Sequence, residues 1–276
     1  MININKKDFK NLSQADYIII SVSGGKDSTY LLDWAVRYLP KEKLVACHAK
    51  IDIDWTDTVE VVKSQCKFFD VPLTIVEAVD KNGNPKGFLS KLTSPRIDRK
   101  TGEVKENMFP DSRNRSCTAE LKVAPIDKFI RTFKGNVAVL IGERRQESFQ
   151  RAKLDFWRPD LKLTTKDGKR TVVKISPILD ILENEVWDRI NEIGAPIHPC
   201  YSWGVTRCSC AICIFSSDKD IEIAMEREPN LVKDYIEAEQ KISHTFRYKP
   251  ATKSRPAIKE TIQDIVTRIL LKRREL

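Results

Sequence analysis

A six-residue stretch, Ser23-Gly24-Gly25-Lys26-Asp27-Ser28, constrains this chain more than any other part of it. It directly follows an apolar, β-branched run at 17–22 (YIIISV) and leads into a helical-looking segment at 28–39. Strand, glycine turn and helix together aim backbone N–H groups and the positive end of a helix dipole at an anion. Gly24 and Gly25 let the backbone bend sharply and approach a ligand with no Cβ in the way. Ser23 and Ser28 add hydroxyl donors, and Lys26 adds a point charge. Asp27 makes sense beside phosphates as a helix-capping group or as a contact to a metal. The stretch reads as a phosphate loop, although neither G-x-x-x-x-G-K-[ST] nor G-x-G-x-x-G is present.

The surrounding pattern predicts an α/β fold. Segments 44–48 and 73–78 read as strands and 57–69 as an amphipathic helix, which with the first unit makes a β-α-β-α-β series. Such a series builds a parallel, twisted sheet with helices on both faces. The stretch 81–111, rich in Lys, Asn, Gly and Pro, interrupts it, and 98–102 looks like a hairpin tip or loop. A helix is expected at 118–133, kinked or restarted at Pro125. Strands follow at 136–142 and 171–175, and a helix at 182–193. Residues 218–225, 230–245 and 258–274 look helical and highly charged. The expected organisation is a nucleotide-binding α/β domain at 1–216 carrying a cysteine-rich segment, with a helical appendage at 217–276.

Charge and cysteine content narrow the chemistry. The 48 basic and 39 acidic residues give a net +9, suited to an anionic ligand such as a nucleotide or nucleic acid. The excess reads as dispersed along the sequence, apart from Lys272-Arg273-Arg274. No run approaches the ~18 apolar residues of a membrane helix, and residues 1–10 carry no secretory pattern. The expectation is a cytoplasmic protein with no membrane partner. Seven cysteines in that setting argue for metal or redox chemistry over disulfides. Cys47 and Cys66 lie in apolar segments and read as small buried hydrophobes. Cys208, Cys210 and Cys213 place three thiols within six residues, a spacing that can chelate one centre. Ligand chemistry alone fits zinc or a [4Fe–4S] cluster equally. Arg144, Arg145 and Arg151 follow a strand, so they project from the edge where parallel sheets bind ligands. Asp52 and Asp54, just past the second strand, are candidates for ribose or adenine contacts or plain turn carboxylates. His48, His198 and His244 are the only histidines, and none forms a recognisable catalytic pattern.

SGGKDS resembles the signature of the PP-loop superfamily, the ATP pyrophosphatases and their adenine nucleotide alpha hydrolase-like relatives. Three more stretches resemble phosphoadenylylsulfate and adenylylsulfate reductases within it. These are 115–125 (RSCTAELKVAP), 142–151 (GERRQESFQR), and 197–204 (IHPCYSWG) followed by C-A-I-C at 210–213. The resemblance implies that Ser23, Gly24, Gly25, Lys26, Asp27 and Ser28, with Lys122 and Arg145, bind an adenine nucleotide and Mg²⁺. It implies that Lys26, Asp27, Arg144 and Arg151 serve the chemistry, and that Cys117 joins Cys208, Cys210 and Cys213 around a [4Fe–4S] cluster. One departure stands out. Position 116 is serine where those reductases place a second adjacent cysteine, so either Cys208 or Cys200 supplies the fourth ligand or the cluster has three protein ligands and one iron open to sulfide or substrate. Within these 276 residues no cysteine follows Cys213, whereas the reductases take sulfite on a cysteine near the carboxyl terminus.

PP-loop proteins of tRNA thiolation and DNA phosphorothioation offer the other precedent. The expectation is therefore an ATP-binding enzyme that adenylylates an acceptor, such as a nucleic acid, for sulfur transfer from a donor such as a cysteine desulfurase. The alternatives are a reductase of adenylylated sulfate that lacks its own terminal thiol, and a nucleotide- or DNA-binding subunit without turnover.

Overall fold

Three consecutive isoleucines at 18–20 are β-branched and fully buried, which places the first strand inside a sheet covered on both faces. The computed structural model describes residues 12, 14–98, 100–111, 114–208, 210–242, 244–249, 251 and 255–274. Its elements in chain order begin with β1 (Tyr17–Ser21), α1 (Lys26–Tyr38), β2 (Leu44–Lys50), α2 (Thr58–Phe68) and β3 (Leu73–Glu77). Then come α3 (Phe88–Thr93), β4 (Arg96–Ile97), β5 (Val104–Lys105), a π-helical stretch Cys117–Val123, α4 (Ala124–Ile130) and β6 (Gly135–Leu140). The series ends with α5 (Phe149–Ala152), β7 (Trp157–Pro159), β8 (Arg170–Ile175), α6 (Glu183–Ile193), α7 (Asp218–Arg227), α8 (Pro229–Ile242), β9 (Arg247–Lys249), β10 (Ile258–Glu260) and α9 (Ile262–Arg274). Residues 1–10 and Arg99, within the segment 98–102 expected to be a hairpin tip or loop, lie outside the described residues. Among the described residues no helix is long and apolar enough to cross a membrane.

Two compact units form. The first comprises Met1–Lys50, Asp57–Val76 and Val123–Pro199. Its six-stranded sheet has the order β3-β2-β1-β6-β8-β7. β1 pairs in parallel with β2 and β6, β6 pairs in parallel with β8, and β7 runs antiparallel at the edge. Alternation along the strands feeds two cores. Ile18, Ile20, Ala138 and Leu140 join one apolar cluster, while Ile19, Cys47, Val137 and Val139 join the other. The strand order reverses at β1, because β2 lies on one side and β6 on the other, and their carboxyl ends open the crevice where such sheets bind ligands. β7 gave no sequence signal, since its three residues include a proline that only an edge strand tolerates. The expected helix at 118–133 is interrupted instead. Pro125 has no N–H for the α ladder, and the π-helical turn of 117–123 precedes a fresh α start with Pro125 in its first turn.

The second unit comprises Ile51–Thr56, Glu77–Lys122 and Cys200–Leu276. The compact units therefore divide differently from the expected 1–216 and 217–276. Ile51, Ile53 and Trp55, Phe88 and Leu92, Cys200 and Ile212, and the inner faces of α7, α8 and α9 share one apolar core. The carboxyl-terminal helices are the body of this unit rather than an appendage. Tyr235 of α8 is fully buried among Phe88, Phe109 and Phe246. The stretch 81–111 holds α3 and the β4–β5 hairpin. The single helix expected at 258–274 begins only at Ile262, because Thr261 Oγ1 accepts the Asp264 N–H and Asp264 caps Thr261 N in return.

Burial pushes the Cys47 thiol up to about 12 from its ordinary 9.0. Folding thus favours the protonated thiol, and its contribution is complete below pH 9 and is lost as pH rises toward 12. Urea titrations should show stability falling above pH 9 by about 1.4 kcal/mol per pH unit more in wild type than in Cys47→Ala. Equal slopes would show that the thiol ionises as freely in the folded chain as in the unfolded one.

Candidate active site

β1 ends at Ser21 and α1 begins at Lys26, so 22–25 is the turn between them. Gly24 has φ +82°, a left-handed conformation that costs an L side chain about 1–2 kcal/mol. Gly25 caps α1 in an extended conformation, and its carbonyl accepts Thr29 N at 3.1 Å and Ser28 Oγ at 2.8 Å. The amides ahead of Thr29 have no acceptor within the helix. Ser28 Oγ also accepts from Ser23 N at 3.2 Å, closing the loop on itself. Buried Gln65 of α2 donates Nε2 to the carbonyls of Gly24 and Pro196, each at 3.1 Å. From the other side, β6 leads into Gly142, where a Cβ would lie 3.2 Å from the Asp27 carbonyl oxygen. Glycine at 142 lets the two strand ends close on one another.

Four charges meet at this point. Arg144, only 2% exposed, donates Nε to Asp27 Oδ1 at 2.5 Å. Lys26, 5% exposed, lies 3.2 Å from Glu183 Oε1 and 3.7 Å from Asp27 Oδ2. Two buried cations therefore stand at the loop with carboxylates offsetting them. Arg144 N donates to Glu147 Oε2 at 2.9 Å, and Glu147 also pairs with Arg151, so Arg151 stands one residue behind Arg144. Arg145 goes elsewhere. It bonds Asp180 Oδ1 at 2.6 Å and the carbonyls of Ala152 and Leu154, each at 2.7 Å, which braces α5 rather than the phosphate loop. Glu183 and Gln65 escaped the sequence reading. Glu183 carries a weak signal as an acid in the first turn of a helix, while Gln65 carries none.

The remaining candidates belong to the second unit or serve the fold. Asp52 Oδ1 accepts Phe88 N at 2.7 Å and so starts α3, the structural one of the two roles expected for it. Asp54 lies 3.4 Å from Lys122 Nζ and bridges Cys210 through the backbone. Lys122 is thus built in beside the cysteines, where the expectation had it on the nucleotide. Burial works against its charge, but the Cys210 thiol and the Asp54 carboxylate raise it well above the ordinary lysine value. His48 Nδ1 sits 2.9 Å from Val22 O, His198 Nε2 sits 3.2 Å from Thr58 Oγ1, and His244 accepts from Phe109 N at 3.3 Å.

All five cysteines of the second unit lie in two groups. Burial pushes Cys210 up to about 12, Lys122 pulls it down, and Asp54, Cys213 and Cys117 push it further up. Cys213 is raised by burial first and feels Cys117 too. Cys117 and Cys213 both act electrostatically on Cys210, although the three sulfurs do not all lie within 4.8 Å of one another. Cys208 hydrogen-bonds Cys200, which with burial raises its thiol, and it shares Asp54 and Lys122 with Cys210. Tyr235 Oη donates to Ile212 O at 2.8 Å and fixes the turn between Cys210 and Cys213. Cys208, Cys210 and Cys213, which resist ionisation alone and share the neighbourhood of the Lys122 ammonium, fit a thiophilic centre whose positive charge takes the protons' place.

Residues 17–216 match the family model described as phosphoadenosine phosphosulfate reductase domain. An adenosine 5'-phosphosulfate reductase of Staphylococcus haemolyticus is 25% identical over 222 residues, 74% of this chain and 86% of the relative. One of Burkholderia cepacia is 27% identical over 119 residues, 42% of this chain, and the match spans only 44% of that relative's length. Among solved structures, a phosphoadenylyl-sulfate reductase from Candida auris aligns at TM-score 0.48 and 16% identity, covering 76% of this chain and 97% of that one. A U34-tRNA thiolase from Methanococcus maripaludis with its [4Fe-4S] cluster aligns at TM-score 0.42 and 16% identity, covering 84% and 72%.

Gly24→Ala should weaken adenine-nucleotide binding by on the order of tenfold, the equivalent of ~1.4 kcal/mol, through strain at φ +82°. Isothermal titration checks this, and unchanged affinity would remove the loop from nucleotide binding. Metal analysis of protein purified without oxygen should find the metal lost in Cys210→Ser and Cys213→Ser but kept in Cys47→Ser. The reverse pattern would overturn the ligand assignment.

Proposed function

The chain belongs to the phosphoadenosine phosphosulfate reductase domain family, and from that premise we propose an ATP-dependent enzyme that adenylylates an acceptor for sulfur transfer. The observation that carries this reading is the disposition of the thiols. Cys47 and Cys66 are buried in the core of the first unit, their thiols pushed up to about 12 and about 11 by burial. The other five belong to the second unit, where Cys208 hydrogen-bonds Cys200 and Cys210 stands opposite Asp54, itself 3.4 Å from Lys122. Thiols set beside an ammonium suit a thiophilic centre that hands sulfur to an acceptor already activated by ATP.

On this reading the β- and γ-phosphates of ATP rest on Ser23–Ser28. Arg144 and Lys26 turn from Asp27 and Glu183 toward them, and Asp27 is then free to meet the Mg²⁺ that accompanies the nucleotide. An acceptor oxygen attacks the α-phosphorus, the bond from that phosphorus to the bridging oxygen breaks, and pyrophosphate leaves. Arg144, with Arg151 behind it, offsets the charge that grows on the leaving group. A hydrosulfide-level donor then attacks the activated carbon or phosphorus, and AMP departs with the former acceptor oxygen. That exchange of oxygen for sulfur needs no oxidant. Cys117, Cys210 and Cys213, with Cys208 or Cys200, would hold a [4Fe–4S] cluster, with zinc as the other thiophilic candidate. Held by only three of these cysteines, such a cluster would leave one iron open to bind sulfide. A nucleic acid as acceptor, a cysteine desulfurase as sulfur source and a cytoplasmic setting complete the proposal.

The relatives' own activity favours a second reading, reduction of adenylylated sulfate with a thiol supplied by a partner. Incubation with Mg²⁺, ATP, hydrosulfide and a candidate acceptor should release AMP and pyrophosphate in equal amounts. Arg144→Ala should lower that rate by on the order of 100-fold. Sulfite release from adenylylsulfate without ATP turnover would replace the first reading with the second. Turnover of neither would leave a binding subunit and overturn both.

A further inference from the structure

Folding collects a charge that looks dispersed in the sequence. Segments 127–134 and 162–170 carry seven cations against two carboxylates. The first unit sews them together. Arg170 Nη1 donates to the carbonyls of Arg131 and Phe133 at 2.9 and 3.4 Å, Gly135 N donates to Lys169 O at 2.8 Å, and Lys162 Nζ meets Asp127 at 2.6 Å. Lys128, Arg131, Lys134, Lys162, Lys166 and Lys169 are all exposed on this surface. Lys162 and Lys169 have acidic partners and still keep 67% and 77% of their side-chain surface in water. Among the described residues, no carboxylate lies within ion-pair distance of Lys128, Arg131, Lys134 or Lys166.

The patch sits where β6 and β8 begin, at the amino edge of the sheet. The phosphate loop follows the carboxyl end of β1, which runs parallel to both through β6. The two surfaces are thus separated by the length of a strand, about 20 Å for six residues.

We propose that this amino-edge patch is a docking surface for the phosphodiester backbone of a nucleic acid. Five of its six exposed cations are lysines, point charges that respond to charge density more than to the planar geometry of one carboxylate. A duplex offers the densest such array, one negative charge per about 1.7 Å of axis. Leu161, 82% exposed, and Tyr17, 40% exposed with its ring 4.8 Å from Phe133, are large apolar side chains exposed beside it, and two such groups give a bilayer little to bury. Binding here is independent of sequence and of the nucleotide. The inference therefore goes beyond the adenylylation reading and stands or falls separately.

Fluorescence anisotropy with a labelled duplex of about 20 base pairs, across about 50–200 mM salt, tests it. The triple variant Arg131→Ala, Lys134→Ala, Lys166→Ala should bind at least about tenfold more weakly and lose about 2.7 from the log–log salt slope. A second triple, Lys233→Ala, Lys241→Ala, Lys272→Ala, changes the same charge on α8 and α9 and should bind as wild type does. Gly24→Ala should also keep duplex binding while holding the nucleotide about tenfold more weakly. Equal losses in the two triples, with matched thermal midpoints, would overturn the proposal. So would displacement of the duplex by polyglutamate or phosphatidylserine vesicles at lower charge concentration than by unlabelled duplex.

Discussion

The pairing of Arg144 with Asp27 is the interaction on which the site depends. It ties the segment that follows β6 to the first turn of α1. Both groups are held where the strand order reverses, and Gly142 is what lets the backbones come close enough for the bond to form. A cation that is 2% exposed would be costly without that partner. The same partner makes the site responsive. An anion arriving at the loop competes with Asp27 and Glu183 for cations already in position, so little has to be reorganised beyond the exchange of one carboxylate for a phosphate.

The cysteine site rests on a different principle. Its thiols come from the π-helical stretch 117–123, the segment after Pro199 and the Cys210–Cys213 turn, which Tyr235 holds through Ile212 O. Burial makes Cys210 and Cys213 poor acids, and Lys122, beside the Asp54 carboxylate, works in the opposite direction. An environment that opposes thiolate formation yet places a cation beside it suits a bound metal better than a free nucleophile.

Much of this was legible in the sequence for identifiable reasons. The isoleucine run, the two loop glycines and the helix beyond them are local signals, and they specify β1, the turn and α1 within a residue or two. The position of Arg144 next to the loop was legible because it follows β6, which runs parallel to β1 and ends at the same edge of the sheet. Arg145 was misread because neighbours in sequence point to different sides, and only tertiary contact with Asp180 and two carbonyls decides which one reaches the loop. Lys122 was assigned by motif, yet its surroundings are set by Asp54 and Cys210, residues distant in sequence. The basic patch was invisible for a similar reason, since it is assembled from two segments that Arg170 joins. The second unit could not be outlined from sequence because three separate stretches build its single core.

The most direct test of the account is a crystal structure with Mg²⁺ and an ATP analogue whose α,β-bridging oxygen is replaced by methylene. The account predicts β- and γ-phosphates on the amides of Ser23–Ser28, with the Arg144 guanidinium moved from Asp27 onto a phosphate oxygen. A nucleotide bound elsewhere, or one bound at the loop with the Arg144–Asp27 pair intact, would contradict it.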